Sequence, residues 1–148
     1  QGHYIVGADI KYNEFIPSVA DEFIIQDLTN QLGTFYLMKH YQFDEVYQLA
    51  ATMGGMELLS DGEYDYTVLN CSNLISHNVI ESAIQSGVKK IFYSSSACCY
   101  PENLQMRPDI SALRESDAYP ANCDIEYGWQ KLYNERLYLA AERCNDRN

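Results

Sequence analysis

The sequence predicts an α/β domain built on a doubly wound parallel sheet. Three observations carry that prediction. Short runs rich in Val, Ile, Tyr and Phe alternate with longer amphipathic ones. Polar residues or glycines stand at the end of each short run. A glycine follows the longest amphipathic run, where a helix would stop. Alternation of this kind marks parallel strands joined by crossover helices.

The elements follow in order. HYIVGAD (3–9) reads as a strand ending in Asp9, and EFIIQDL (22–28) as a second ending in Asp27 and Leu28. EVYQLAA (45–51) is a third, running into the AATMGGM turn (50–56). The segment 65–87 is predicted helical, because Leu69, Leu74, Ile75, Val79, Ile80 and Ile84 recur at three- and four-residue spacing; Gly87 closes it. KKIFYSSS (89–96) is the fourth strand and leads into Ala97, Cys98 and Cys99. The proline-containing stretch 101–122 reads as a long loop, a feature that is usually functional in a compact domain. A last helix is predicted over 127–144, with Leu132, Leu137 and Ala141 on one face. In parallel sheets ligands bind at the carboxyl ends of the strands, where Asp9, Asp27, the 50–56 turn and the serine cluster all fall.

The chain has 148 residues, enough for one domain with a core. Its formal net charge of −11 argues against a nucleic-acid surface, which needs clustered lysine and arginine. No apolar run approaches a membrane span, and no zinc-like Cys or His spacing occurs, so neither membrane nor metal is expected. Five cysteines form an odd set without a Cys-x-x-Cys pair, the pattern of reduced thiols in a cytoplasmic protein.

Chemistry concentrates in two places. Tyr127 and Lys131 lie four apart on a predicted helix and share a face. An ammonium beside a phenol favours the phenolate, so Lys131 is expected to lower the Tyr127 pKa and prepare it as a general base. With thirteen tyrosines in the chain the spacing alone is weak. Its weight comes from the serines ending the fourth strand, which could add a hydroxyl and complete a Ser–Tyr–Lys proton relay.

These residues resemble the extended short-chain dehydrogenase/reductase family, and within it the nucleotide-sugar epimerases that invert carbons 3 and 5 of a GDP-mannose-like substrate. The resemblance rests on GHYIVGAD (2–9), LAATMGGM (49–56), Ser95-Ser96-Ala97-Cys98 with Tyr100-Pro101, and ESDAYPANCDIEYGWQK (115–131), and it runs the length of the chain. It implies a Rossmann-like fold, NAD as cofactor and a homodimer. Tyr127 would take the proton from the sugar 4-hydroxyl, with Ser96 bonding the same oxygen and Lys131 holding the nicotinamide ribose. Asp9 would accept the adenosine ribose hydroxyls, and Asp27 and Leu28 would face the adenine. Met53, Gly54, Gly55 and Ser96 would meet the sugar nucleotide. Oxidation at carbon 4 acidifies the hydrogens on carbons 3 and 5, and Cys98 stands where the family places an acid/base for inverting them. Cys99 is expected to be a small buried apolar residue.

The pattern departs from the family in four respects. No G-x-x-G-x-x-G phosphate loop occurs, Thr52 replaces an aspartate, and Ser72 stands about where the superfamily has a helix asparagine, with Asn70 and Asn73 close by. Neither the glycine-rich first turn nor the C-terminal substrate domain falls within 1–148, so a partial NAD-binding domain is expected, incomplete at both ends and inactive by itself. Two other readings stay open: a nucleotide-sugar 4-epimerase, which has no use for Cys98, and a non-catalytic Rossmann-like binding module.

Overall fold

The computed structural model describes residues 2–54, 62–106, 109 and 112–145. It is a parallel α/β structure, as the alternation of runs predicts. Strand β1 (Val6–Asp9) pairs in parallel with β2 (Glu22–Ile25), placing Val6 opposite Glu22 and Asp9 opposite Ile25. Helix α1 (Gln31–Tyr41) follows, then β3 (Glu45–Gln48) and helix α2 (Asp65–Ser86). Strand β4 (Lys90–Tyr93) lies parallel to β3, with Glu45 opposite Lys90 and Gln48 opposite Tyr93. After it come a 3-10 turn (Ala97–Cys99), the short helix α3 (Glu102–Gln105), a second 3-10 turn (Glu115–Ala118) and helix α4 (Glu126–Asn145).

Among the described residues the strands form two separate pairs, β1–β2 and β3–β4. An open groove of about 960 Å³ has residues of β1 and of β3 in its walls, together with Phe23, Leu28, Met38 and Val79. The strands are shorter than the apolar runs that announce them. Residues 26–28 and 49–51 lie outside the strands, so Asp27 sits beyond the end of β2.

Helix α1 lies outside the elements that the sequence pattern predicts, although its start is legible. Asn30 caps it, its side-chain oxygen accepting the Gly33 N–H at 2.9 Å. Gln42 ends it in the left-handed conformation (φ 50°) and donates its N–H to the Met38 carbonyl. Gly87 closes α2 in the same manner, as its sequence position predicts (φ 73°), with its N–H on the Ala83 and Ile84 carbonyls.

The buried face of α2 overlaps the predicted one in part, with Ile75, Val79 and Ile80 buried as expected. Leu74 and Ile84 are 41% and 38% exposed, while Val68, Ser72, Ile75, Ser76, Val79, Ser82 and Ala83 are buried. The small serines and alanine let two helices approach α2, and it packs against both α1 and α4. Met38 of α1 meets Ile75 and Val79 there, with Leu28, Phe43, Val46 and Ala50 around them. On α4 the predicted Leu132 is buried, but Leu137 and Ala141 are only half-buried. Beside Leu132, the buried positions are Tyr127, Gly128, Gln130, Lys131 and Asn134, a largely polar seam. Asn134 Nδ2 donates to Asn73 Oδ1 across the α2–α4 contact at 3.0 Å.

Candidate active site at the strand ends

The segment after β4 is held by α4. Ser96 is extended (φ −152°) and caps the 3-10 turn, its Oγ accepting the Cys98 N–H at 3.2 Å. The Ser96 hydroxyl also acts on the Tyr127 phenol, where it favours the phenolate. Lys131, one helical turn beyond Tyr127, donates from Nζ to the Ser94 carbonyl at 2.7 Å. The ammonium also stands 5.0 Å from the Tyr93 ring centroid and 5.5 Å from that of Tyr127. Cys98 is half-buried and packs with Ile125 against Val68 and Tyr127. Ser96, Cys98, Tyr127 and Lys131, distant in sequence, therefore form one cluster.

Close approach of α4 to this turn depends on Gly128. A Cβ there would lie 2.1 Å from the Cys98 carbonyl oxygen and 2.9 Å from Cys123 Cβ. The glycine lets the first turn of α4 sit directly on the backbone of the 3-10 turn, which is why its neighbour Tyr127 reaches Ser96 and Cys98.

The electrostatics correct one expectation. Burial pushes the Tyr127 phenol above its ordinary pKa, opposed by the Ser96 hydroxyl. Lys131, only 4% exposed, is itself pushed down by desolvation. Its ammonium is turned to the Ser94 carbonyl and the flats of two rings rather than to the phenol oxygen, so the predicted lowering of Tyr127 is absent.

Cys99 is buried, as its reading as a core residue predicts, in a cluster with Ala118, Cys123 and Leu132. Burial raises its thiol pKa and carries that of Cys123 up to about 11. Met53 and Gly54 are exposed on the segment after β3, and Gly55 lies outside the described residues. Ser72, in the position where an asparagine is usual, is buried and accepts the Thr52 N–H on its Oγ at 3.0 Å, tying that segment to α2.

A second group forms where β1 and β2 end. The Gln26 N–H donates to the Asp9 carbonyl at 2.8 Å, bringing the two strand ends together. The Asp9 carboxylate is exposed and accepts the Lys11 N–H at 3.2 Å. Asp27 accepts both the N–H and the hydroxyl of Thr29, at 2.8 and 2.7 Å, which holds its carboxyl below the ordinary range. The Leu28 side chain packs inward against the Met38 cluster, and its carbonyl accepts Asn78 Nδ2 at 2.9 Å. An exposed carboxylate with spare acceptor sites at a strand end is a group that could hold a ribose diol.

Sequence reasoning missed three features of the site: the Ser94 carbonyl, the Tyr93 ring and Glu135. Glu135 carried a signal, for it lies a further turn along the same helix face as Tyr127 and Lys131.

Comparison with known proteins gives the family and the fold. The model of the NAD dependent epimerase/dehydratase family matches residues 1–148. GDP-mannose 3,5-epimerase of Arabidopsis thaliana is 39% identical over 140 residues, covering 93% of this chain and 36% of that protein. GDP-mannose 3,5-epimerase 1 of Oryza sativa subsp. indica is 40% identical, over 93% of this chain and 35% of the relative. The chain thus spans about a third of the length of these curated relatives. Among solved structures, the UDP-Glc/GlcNAc 4-epimerase of Campylobacter jejuni superposes with a TM-score of 0.78 at 24% identity, over 99% of this chain and 44% of that one. The UDP-glucose 4-epimerase of Thermus thermophilus, solved with NAD, gives 0.69 at 21% identity, over 88% and 39%. These two likenesses speak for the fold.

Proposed function

The chain belongs to the NAD dependent epimerase/dehydratase family, and from that premise we propose that it carries the catalytic cluster of a nucleotide-sugar 3,5-epimerase acting on a GDP-mannose-like substrate. The observation that carries this reading is the packing of Cys98 against Tyr127, with Ser96 on the phenol and Lys131 buried beneath it. The curated relatives at about 40% identity are named for that activity.

The family's cofactor, NAD, supplies a hydride acceptor when bound. Asp9 and Lys131 are the side chains that would hold its two riboses, with Asp27 near the adenine. Tyr127 takes the proton of the sugar 4-hydroxyl in its phenolate form, which burial disfavours and the Ser96 hydroxyl favours. The burial that raises the phenol also keeps water from the reacting carbon. A ketone at carbon 4 makes the hydrogens at carbons 3 and 5 acidic, and the Cys98 thiol exchanges protons there. A homodimer in the cytoplasm is the expected state in this reading. The polypeptide 1–148, which holds no glycine-rich phosphate loop, is inactive alone in this reading.

A 4-epimerase is the second reading. It uses Ser96, Tyr127 and Lys131 alone, and the half-buried packing of Cys98 suits a purely structural thiol. Cys98→Ala in the full-length protein separates the two. Hydride transfer should persist, while deuterium uptake from heavy water at carbons 3 and 5 should fall by about 10²-fold or more, as for a lost general acid/base. Undiminished uptake returns Cys98 to the core, whereas a parent protein that takes up no deuterium at carbons 3 and 5 is a 4-epimerase.

A further inference from the structure

Glu135 occupies the third position of a ridge on α4. Residues 127, 131 and 135 recur every four residues, so their side chains stack along one face at about 6 Å intervals. Each reaches the same short segment after β4. Tyr127 meets Ser96, Lys131 holds the Ser94 carbonyl, and Glu135 Oε1 accepts the Ser95 hydroxyl. The Ser95 Oγ also lies 3.3 Å from Cys99 Sγ, and that thiol points at Glu135 Oε1 at 3.8 Å. Ser95 is thus fixed between two residues whose positions define the site.

We propose that Glu135 is a positioning residue for the Ser96–Tyr127–Lys131 relay, acting by anchoring Ser95 and Cys99 so that Ser94 and Ser96 present their oxygens to Lys131 and Tyr127. The inference rests on the proposed function for its catalytic consequence, and on the geometry alone for its structural one. Without Glu135 the backbone of 94–96 keeps the Lys131 bond as its main tie to α4 beyond the Tyr127 turn. The Ser94 carbonyl then loses its fixed direction, and the Lys131 ammonium that donates to it loses its fixed place. Displacing a reacting group by about 1 Å can cost 10²-fold in rate.

The test uses three variants of the full-length protein, Glu135→Ala, Glu135→Gln and Ser95→Ala. Glutamine keeps an acceptor oxygen for the Ser95 hydroxyl; the other two abolish the bond. Glu135→Ala and Ser95→Ala should lower kcat for hydride transfer about tenfold to a hundredfold with little change in substrate KM. Glu135→Gln should recover most of that loss. In parallel, lysine-selective 13C labelling reads the Cε signal of Lys131, identified by its disappearance in Lys131→Met. That signal should shift in the alanine variants and stay near the parental position in Glu135→Gln. An unmoved Lys131 signal in Glu135→Ala, or equal shifts in the alanine and glutamine variants, overturns the positioning role. Parental turnover in Tyr127→Phe would instead sink the catalytic reading, with the Lys131 signal still deciding the role of Glu135.

Discussion

Replacing Gly128 by alanine tests how the site is assembled. Position 128 lies in the first turns of α4 with ordinary helical backbone, so alanine by itself would favour the helix by up to about 1 kcal/mol. The surroundings oppose this. The new Cβ would meet the Cys98 carbonyl oxygen at 2.1 Å and its carbon at 2.9 Å, both backbone atoms that no rotamer change can move away. Ordinary contact needs roughly 3.4 Å, so α4 and the 3-10 turn must separate by about 1 Å. Overpacking of this sort costs about 1–3 kcal/mol, which exceeds the helical gain. A net loss of about 1–2 kcal/mol corresponds to a fall of roughly 3–8 °C in Tm for a domain of this size. The same displacement carries Tyr127 away from Ser96 and Cys98, so hydride transfer should fall about 10²-fold in the full-length protein. Thermal unfolding by circular dichroism and single-turnover kinetics read the two effects separately. An alanine variant with parental Tm and parental rate would show that α4 does not rest on the Cys98 backbone, and the account of the cluster would fail.

Tyr127→Phe keeps the ring against Val68 and Cys98 but removes the proton acceptor; hydride transfer should drop about 10²–10⁴-fold with NAD binding retained, and a rate within about threefold of the parent would refute the assignment. Thr29→Val removes the hydroxyl bond to Asp27, so its carboxyl pKa, followed by NMR titration, should rise toward the ordinary 3.8. The folded carboxyl has the lower pKa, so its contribution to stability is present above that ordinary value and fades as pH falls through the folded one; the valine variant should lose less stability over this acid interval.

The parts of the fold that depend on local pattern are legible in the sequence. The cap at Gly87, the extent of α2 and α4, and the placement of Asp9 and the serine cluster at strand ends follow from periodicity and turn chemistry. Helix α1 is harder to read because its apolar residues do not gather on one buried face, Leu32 and Tyr36 being exposed, which leaves the Asn30 cap as the main clue. The buried face of α2 departs from expectation for a related reason. Counting large apolar residues overlooks serines, and here Ser72, Ser76 and Ser82 are buried because helices close in on both sides. Within the site, spacing pairs Tyr127 with Lys131 but says nothing of the direction of the ammonium. That direction is set by the Ser94 carbonyl, a backbone group that carries no signature in the sequence.

Lys131 also shows why this cluster is better understood as a site than as a structural tie. A cation buried to this degree loses its hydration, and the lowering of its pKa registers that loss. One carbonyl and two ring faces compensate only in part. An apolar side chain of similar length would fill the same space at lower cost, much as buried ion pairs can be replaced without loss of stability. The neighbouring groups repeat the pattern: Tyr127 is pushed up by burial, and Gln130 and Asn134 each bury an oxygen for which the described residues offer no partner. A domain optimised for stability alone would not concentrate these liabilities in two turns of one helix. Perturbed titrating groups gathered beside a backbone turn at a strand end are a recurrent mark of sites that move protons, because removal from water puts the phenol and the amine under the control of a few neighbouring groups.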